Sequence, residues 1–414
     1  MENNITINNR IPQLRFPGFT GEWTKYKLGE CFDERNEQSS ESSDYPLMAF
    51  IAGKGVAAKG EKYDRSALVK DASNKKYKRT ELGDFIYSSN NLESGSIGLN
   101  RYGKACISPV YSIFKAKKGF DPYFIGPILT QKSFISEMIK YRQGVVYGQW
   151  KIPEKEFLNL IIRIPSFAEQ QKIAEFLAAE DRMISAQEQK VESLKVHKKG
   201  LMQQLFPQPG ATTPALRFPG FTGKWQEKKL NKVFSRVTRK NAENNQNVLT
   251  ISAQYGLISQ LEFFKKSVAS SDVTGYYLLH RGEFAYNKSS SQGRPVGAIK
   301  PLRLYDKGVV STLYICFKCN NPEEIAFWEQ YFDAGILDSE ILSIAQEGAR
   351  NHGLLNISTG DFFGLNVILP TLPEMKKIAE CLSSFDDVIT AAENELDSLK
   401  AHKKGLMQQL FPQL

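Results

Sequence analysis

Hydrogen-bonding side chains gather at matching places in the two halves of this 414-residue chain. In the first half Ser89, Asn90 and Asn91 follow the turn "GDFIY", and Arg101, Arg142, Gln143, Tyr147, Gln149 and Lys151 come after them. In the second half Lys288, Ser289, Ser290, Gln292 and Arg294 follow "GEFAY", with Arg350, Asn351, His352 and Asn356 farther on. Arg, Lys, Asn and Gln can match the base edges of the DNA major groove with paired hydrogen bonds, while Ser and Lys suit the phosphate backbone. Singly, such residues are more often solvated or structural. As a set at corresponding places they are candidates for reading a nucleic acid.

The charge agrees with a polyanionic partner. The net charge is +9, and Thr24 to Leu160 hold 22 Lys+Arg against 16 Asp+Glu while Gln226 to Leu365 hold 16 against 14. A basic balance concentrated in two interiors is an electrostatic footprint for nucleic acid. Chemistry beyond binding lacks its residues. No "NPPY" or "DPPY" stretch and no phosphate-cradling "GxxxxGK[ST]" loop occurs. The four histidines, His197, His280, His352 and His402, never fall at metal-ligand spacing, and the acidic residues are scattered among lysines. No catalytic residue and no metal site is therefore expected. Cys316 and Cys319 form a lone CxxC inside the apolar run "STLYICFKC", which reads as a strand. Five cysteines, thinly spread, fit a reducing cytoplasm. No apolar run approaches the roughly 20 residues that span a bilayer, and the polar start "MENNITINNRIPQ" has no secretory signal.

The elements that position these residues are written twice. "LRFPGFTG" at Leu14 recurs at Leu216, followed by Trp23 and Trp225, and "HKKGLMQQLFPQ" at His197 recurs at His402. One frame with two different interiors is the result. The borders divide the chain into 1–23, a first interior 24–160, a helix region 161–210, a second border 211–225, a second interior 226–365 and a final helix region 366–414. The interiors share a layout: "LGDFIYSSN" parallels "RGEFAYNKS", "GSIGLN" parallels "RPVGAI", and "SPVYSIF" parallels "STLYICF". These read as short strands with Gly-marked turns, flanked by helical stretches such as Phe327 to Gln346.

Behind each interior stands a punctuated helix. Ser166 with Glu169, and Thr371 with Glu374, have capping-box spacing. Apolar residues then recur four and three apart: Ile173, Leu177, Ile184, Val191, Leu194, Leu201 and Leu205, and again Ile378, Leu382, Phe385, Ile389, Ala392, Leu396, Leu399, Leu406 and Leu410. That is a coiled-coil seam, and Phe167 to Phe206 would make a rod of about 60 Å. A pseudo-two-fold axis relating the repeats would pair the rods antiparallel. With Leu414 near Pro12, the junction "LFPQ…LRFPGF" would form again across the termini. Gly200 and Gly405, inside the helical pattern, mark either a close helix approach or a break in the rod, and the apolar spacing that continues beyond both favours close approach. Ile173, Phe176, Met183, Ile184 and Met202 exceed what one two-helix seam buries, which predicts an outward apolar face for partners. Four residues inserted near Ala186 are expected to shift one interior by about 6 Å.

"LRFPGFTGEW", the "GDFxY" turn and the "P…EQQKIAEFLAAED" helix ending "HKKGLMQQLFPQ" together resemble the specificity subunit of type I restriction-modification systems, over essentially the whole chain. Met375 and Lys376 depart from the pattern, standing where the first copy has Gln170 and Gln171. The resemblance implies an α+β architecture: two pseudo-two-fold-related α/β target-recognition domains separated by a long antiparallel two-helix coiled coil. It implies a cytoplasmic, non-catalytic subunit that reads a bipartite site on double-stranded DNA, one half per domain. The helices would set the gap and dock two modification subunits that methylate adenine N6. Restriction subunits would join them to translocate and cut. The chain itself would hold no cofactor, with S-adenosylmethionine, ATP and Mg on the partners. The alternative is a coiled-coil scaffold or adaptor whose two diverged domains bind proteins or glycans.

Overall fold

The computed structural model describes residues 11–58, 76–145, 149–252, 256–264, 272–290, 294–345, 353 and 355–412. They form two compact units, one of residues 1–186 with 396–414 and the other of residues 187–395.

In the first unit the ends of the interior are zipped together. Thr24–Lys27 pairs antiparallel with Ile161–Ile164, Thr24 opposite Ile164. Between them an antiparallel sheet runs in the order Phe32–Glu34, Ser112–Ala116, Phe85–Tyr87, Ile97–Leu99. The second unit repeats this order with Phe234–Arg236, Ile315–Cys319, Phe284–Asn287 and Ala298–Pro301, and closes its interior by pairing Gln226–Lys229 with Asn366–Leu369. The aromatic letters shared by the interiors are the core that makes the two sheets alike. Phe114 and Phe157 lie 4.5 Å apart between ring centroids in the first unit, and Phe284 and Phe317 stack at 5.4 Å in the second.

Two local readings of the second interior are decided here. The CxxC lies on a strand, where residues three apart face opposite ways, so Cys316 and Cys319 enter different apolar clusters. Burial pushes both thiols up to about 12, which leaves them protonated and inert. The helical stretch expected over Phe327 to Gln346 is two helices, Ile325–Asp333 and Asp338–Ile344. They are separated at Gly335, whose φ of 71° is the left-handed conformation that ends helices.

The long helices span Phe167–Leu205 and Leu372–Leu410, 39 residues each. Every seam residue named from the sequence is buried or half-buried. The same four-three spacing also puts Glu180, Gln187, Lys198 and Lys403 on the seam, polar positions that an apolar reading passes over. They point to antiparallel pairing within each unit. Lys403 reaches Asp181 in the first unit. In the second, Lys198 meets Asp386 at 2.5 Å, Lys195 meets Glu393 at 2.6 Å, and Gln187 Nε2 donates to the Ala392 carbonyl at 2.9 Å. Rising numbers on one helix thus meet falling numbers on the other.

The sequence repeat is not the physical unit. Ile173 and Leu177 share a core with Leu410 and Phe411, while Leu205 and Phe206 share one with Ile378 and Leu382. Each interior is completed by the end of the helix that follows the other interior. Phe411 packs on Trp23 with centroids 6.5 Å apart, and Phe206 on Trp225 at 6.4 Å. The junction expected across the termini is present: Leu14 N donates to Gln409 O at 3.0 Å as Leu216 N does to Gln204 O at 2.9 Å. Leu414 lies outside the described residues.

The first turn of each helix is held by the front border. Ser166 Oγ accepts from Glu169 N at 3.4 Å, but the Glu169 carboxylate goes to Arg15, at 2.8 Å from Nε and 2.7 Å from Nη2. Glu374 takes Arg217 at 2.7 and 2.8 Å in the same way. Both carboxylates are 1% exposed. The same guanidinium groups donate to the carbonyls of Gly21 and Gly223, residues whose φ of 85° and 84° favours glycine. Downstream of the clamp the copies differ. Buried Gln170 accepts from Asp121 N at 2.9 Å, whereas Met375 joins the core and Lys376 pairs with Glu323 at 3.1 Å.

Two expectations are corrected. Gly200 and Gly405 make no close approach, since a Cβ on either would meet nothing within 4 Å. Of the five residues expected to form an outward face, Ile173 and Met202 are buried, Phe176 packs on Phe16 at 5.4 Å and Ile184 is half-buried. Only Met183 is exposed, at 53%. The helix ends lie under the two interiors, which cover flanks that a bare helix pair would leave open.

Removing one partner of a buried ion pair strands the other, so Arg15→Ala or Arg217→Ala should each cost about 3 kcal/mol, read by urea unfolding. Replacing the Arg15–Glu169 pair by Met and Leu should cost less. Gly200→Ala and Gly405→Ala should instead stabilise, by about 1 kcal/mol each, seen as a higher urea midpoint at unchanged slope.

Candidate nucleic-acid interface

The polar loop behind the central strand is tied at the corresponding place in both units, through side chains in the first and mainly through the backbone in the second. In the first, a hairpin of Gln143–Val145 and Gln149–Lys151 lies beside residues 88–91. Asn90 Oδ1 accepts from Trp150 N at 2.5 Å, Ser89 Oγ from Ile152 N at 2.9 Å, and Ser89 O from Arg142 Nε at 2.9 Å. In the second, Ser290 N donates to Gly353 O at 2.8 Å, Leu355 N to Lys288 O at 3.0 Å, and Lys288 Nζ to Ile357 O at 3.4 Å. Each loop is thereby tied to the segment leading into the short helix that precedes the closing strand, Glu154–Asn159 or Thr359–Gly364.

The acidic residue of the "GDF" and "GEF" turns anchors the base of the loop's strand. Asp84 binds Arg35 Nε at 2.8 Å and accepts from Glu81 N at 2.7 Å. Glu283 binds Arg239 at 3.0 Å and accepts from His280 N at 2.8 Å. Burial raises the Asp84 carboxyl above its ordinary range despite Arg35. These groups brace a turn and face no open site.

The structure brings together Ser89, Asn90, Arg142, Gln143, Gln149 and Lys151. It separates their tasks. Ser89 is buried and holds the hairpin. Arg142 is engaged bidentately by Glu93 at 2.8 and 2.6 Å, and this bond holds the Glu93 carboxyl below its usual range. Asn91, Gln143, Gln149 and Lys151 are exposed. Arg101 lies apart from the hairpin, 3.6 Å from Asp181 on the long helix and over the Tyr123 ring. In the second unit Lys288, Ser289, Ser290 and Asn356 cluster, the last two exposed. Arg294 sits 3.5 Å from Asp333, which also takes Lys300 at 2.7 Å. Tyr147, Gln292, Arg350, Asn351 and His352 lie outside the described residues. Two residues were missed from sequence. Trp150 is 49% exposed on the hairpin, and a tryptophan between Gln149 and Lys151 was the available signal. Glu93 gave none.

Among the described residues no group of three or more His, Cys, Asp or Glu could hold a metal, and no helix is long and apolar enough to cross a membrane. Both units thus display polar loops from a braced sheet, with the closing helices clamped behind. Residues 20–196 match the family model of the type I restriction modification DNA specificity domain. The match supports sequence-specific DNA recognition by the segment that carries it. The fold is similar to that of the S subunit of a type I restriction-modification system from M. genitalium, at 14% identity, covering 98% of this chain and 100% of that one, with a TM-score of 0.56. It is also similar to a chain solved in work on complex assembly and conformational transition of the type I R-M system, at 15% identity, 97% and 98% coverage and a TM-score of 0.51. No curated protein matches the sequence.

The loop tie in the second unit depends on Gly353. Its φ is 68°, and a Cβ there would stand 2.5 Å from Ser290 Oγ. Gly353→Ala should cost about 1 to 2 kcal/mol, measured by chemical denaturation. Gly360→Ala, whose Cβ would meet nothing closer than 3.8 Å, should not destabilise.

Proposed function

We propose that the chain reads a bipartite DNA site, one half-sequence per recognition domain, and directs two modification subunits to methylate adenine N6. The observation that carries this reading is the repeated loop tie: the same braced strand in each unit presents a polar loop, and the side chains on the two loops differ. One scaffold with two chemistries is what two different half-sites require. The exposed members, Asn91, Gln143, Gln149 and Lys151 in the first unit and Ser290 and Asn356 in the second, are the base and phosphate contacts we favour. The residues beneath them position the loops. S-adenosylmethionine belongs to the modification subunits, and ATP and Mg to restriction subunits that join the assembly.

For docking, the helices offer Met183 and Val388, 53% and 50% exposed at equivalent positions of the two copies. Equivalent apolar contacts suit two copies of one partner. The gap between half-sites is assigned to the helix pair. An insertion near Ala186 alone would not lengthen this spacer, because each unit contains part of both helices and a one-sided insertion only throws the seam out of register. A heptad must be added to both.

Two measurements test this reading, both by sequencing N6-methyladenine in cells that also carry the modification subunit. Replacing Thr24–Leu160 by the interior of a related chain should change one half of the methylated motif and leave the other intact. Adding seven residues after Ala186 and seven after Glu395 should keep both half-sequences and widen the gap by about three base pairs, from 1.5 Å per residue and 3.4 Å per base pair. A swap that scrambles both halves, or a widened spacer with an unchanged gap, would defeat the reading.

A further inference from the structure

The hairpin of the first unit is held by an edge, which leaves its faces open. The N–H groups of Trp150 and Ile152 donate sideways to Asn90 Oδ1 and Ser89 Oγ, and strand N–H groups lie in the plane of a ribbon. Gly144 stands opposite Trp150, and Gln143 opposite Lys151. Opposed residues share a face and neighbours along a strand alternate. One face therefore carries Gln143, Gln149 and Lys151, while the other carries Trp150 with no side chain across from it. All three residues of the Gln149–Lys151 strand are exposed. The chain has four tryptophans, and Trp23, Trp225 and Trp328 are 2%, 4% and 0% exposed against 49% for Trp150. An indole on an open face, on a ribbon whose root is braced by Arg142 and Glu93, keeps apolar area that only a ligand would cover.

We propose that this ribbon is the element of the first recognition domain that enters the DNA major groove, and that Trp150 is a DNA-contact residue. The assignment rests on the DNA-reading function proposed above. A two-stranded ribbon fits the major groove, and glutamine pairs bidentately with adenine, so Gln143 and Gln149 face the base edges. Lys151 is within reach of the backbone on the same face. Trp150, on the opposite face, packs against the sugar and base surface of the groove wall, giving affinity that tolerates sequence.

The test uses the complex with the modification subunit and a duplex carrying the motif that this complex methylates. Subtracting the fluorescence of a Trp150→Phe complex isolates Trp150, and its quenching by acrylamide should fall when the duplex saturates the protein. Trp150→Ala should weaken binding about tenfold on cognate and unrelated duplexes alike, with the methylated letters unchanged. Gln149→Ala should weaken the cognate duplex by about tenfold and relax one position in one half-site. Neither side chain lies in the core, so copurification with the modification subunit should persist in both variants. Equal quenching with and without bound duplex, or wild-type affinity and motif in both variants, would remove the ribbon from the interface while leaving DNA reading in place. A wild-type complex that neither binds the duplex nor methylates a bipartite motif would overturn the function and the ribbon together.

Discussion

Two buried arginine–glutamate pairs hold the frame on which everything else is built. Arg15 and Arg217 come from the short repeated border, and Glu169 and Glu374 from the first turns of the long helices. A carboxylate that is 1% exposed is tolerable only with a fixed, bidentate partner. The pair therefore specifies where the border must lie and where the helix must begin. The strand that opens each interior follows that border directly, and the strand that closes it precedes the helix. One ionic contact thus sets the mouth of each recognition domain, and the sequence between can vary without moving it.

The second organising fact is the exchange of helix ends. Each domain core is sealed by the phenylalanine just past the helix that follows the other domain, Phe411 on Trp23 and Phe206 on Trp225. The long helices are consequently structural members of both domains and not linkers between finished ones. Polar seam contacts add direction to this: Lys198 with Asp386 and Lys403 with Asp181 are the same repeated pair, met from each helix in turn. Polar contacts on a coiled-coil seam specify register at some expense of stability.

The candidate site sits on what the frame leaves variable. The aromatic core and the acid of the "GDF" or "GEF" turn make the two sheets alike, while the loops beyond differ in polar residues. Several residues with chemistry suited to DNA have partners within the chain. Ser89 ties the hairpin, Arg142 is occupied by Glu93, Arg294 by Asp333, and Arg101 reaches a helix carboxylate. Loops that must present side chains in a fixed geometry need such bracing, and it draws on the same residue types that recognition does.

The sequence by itself determined the repeat, the two interiors with their corresponding strands, the length and seam of the helices and the resemblance to a known family. Those features follow from local pattern: period, punctuation and shared apolar letters. It also located the polar loops of the candidate site. Only the tertiary structure decided that the repeated sequence is not the folding unit, because which helix end fills which core is a matter of contacts between residues about two hundred positions apart. The same holds for Glu169 and Glu374, whose capping-box spacing is legible but whose arginine partners are not, and for Gly200 and Gly405, where only the neighbouring atoms show that no close approach exists. Composition cannot separate a side chain that braces a loop from one that reads a base, since both are polar and differ only in what already stands beside them.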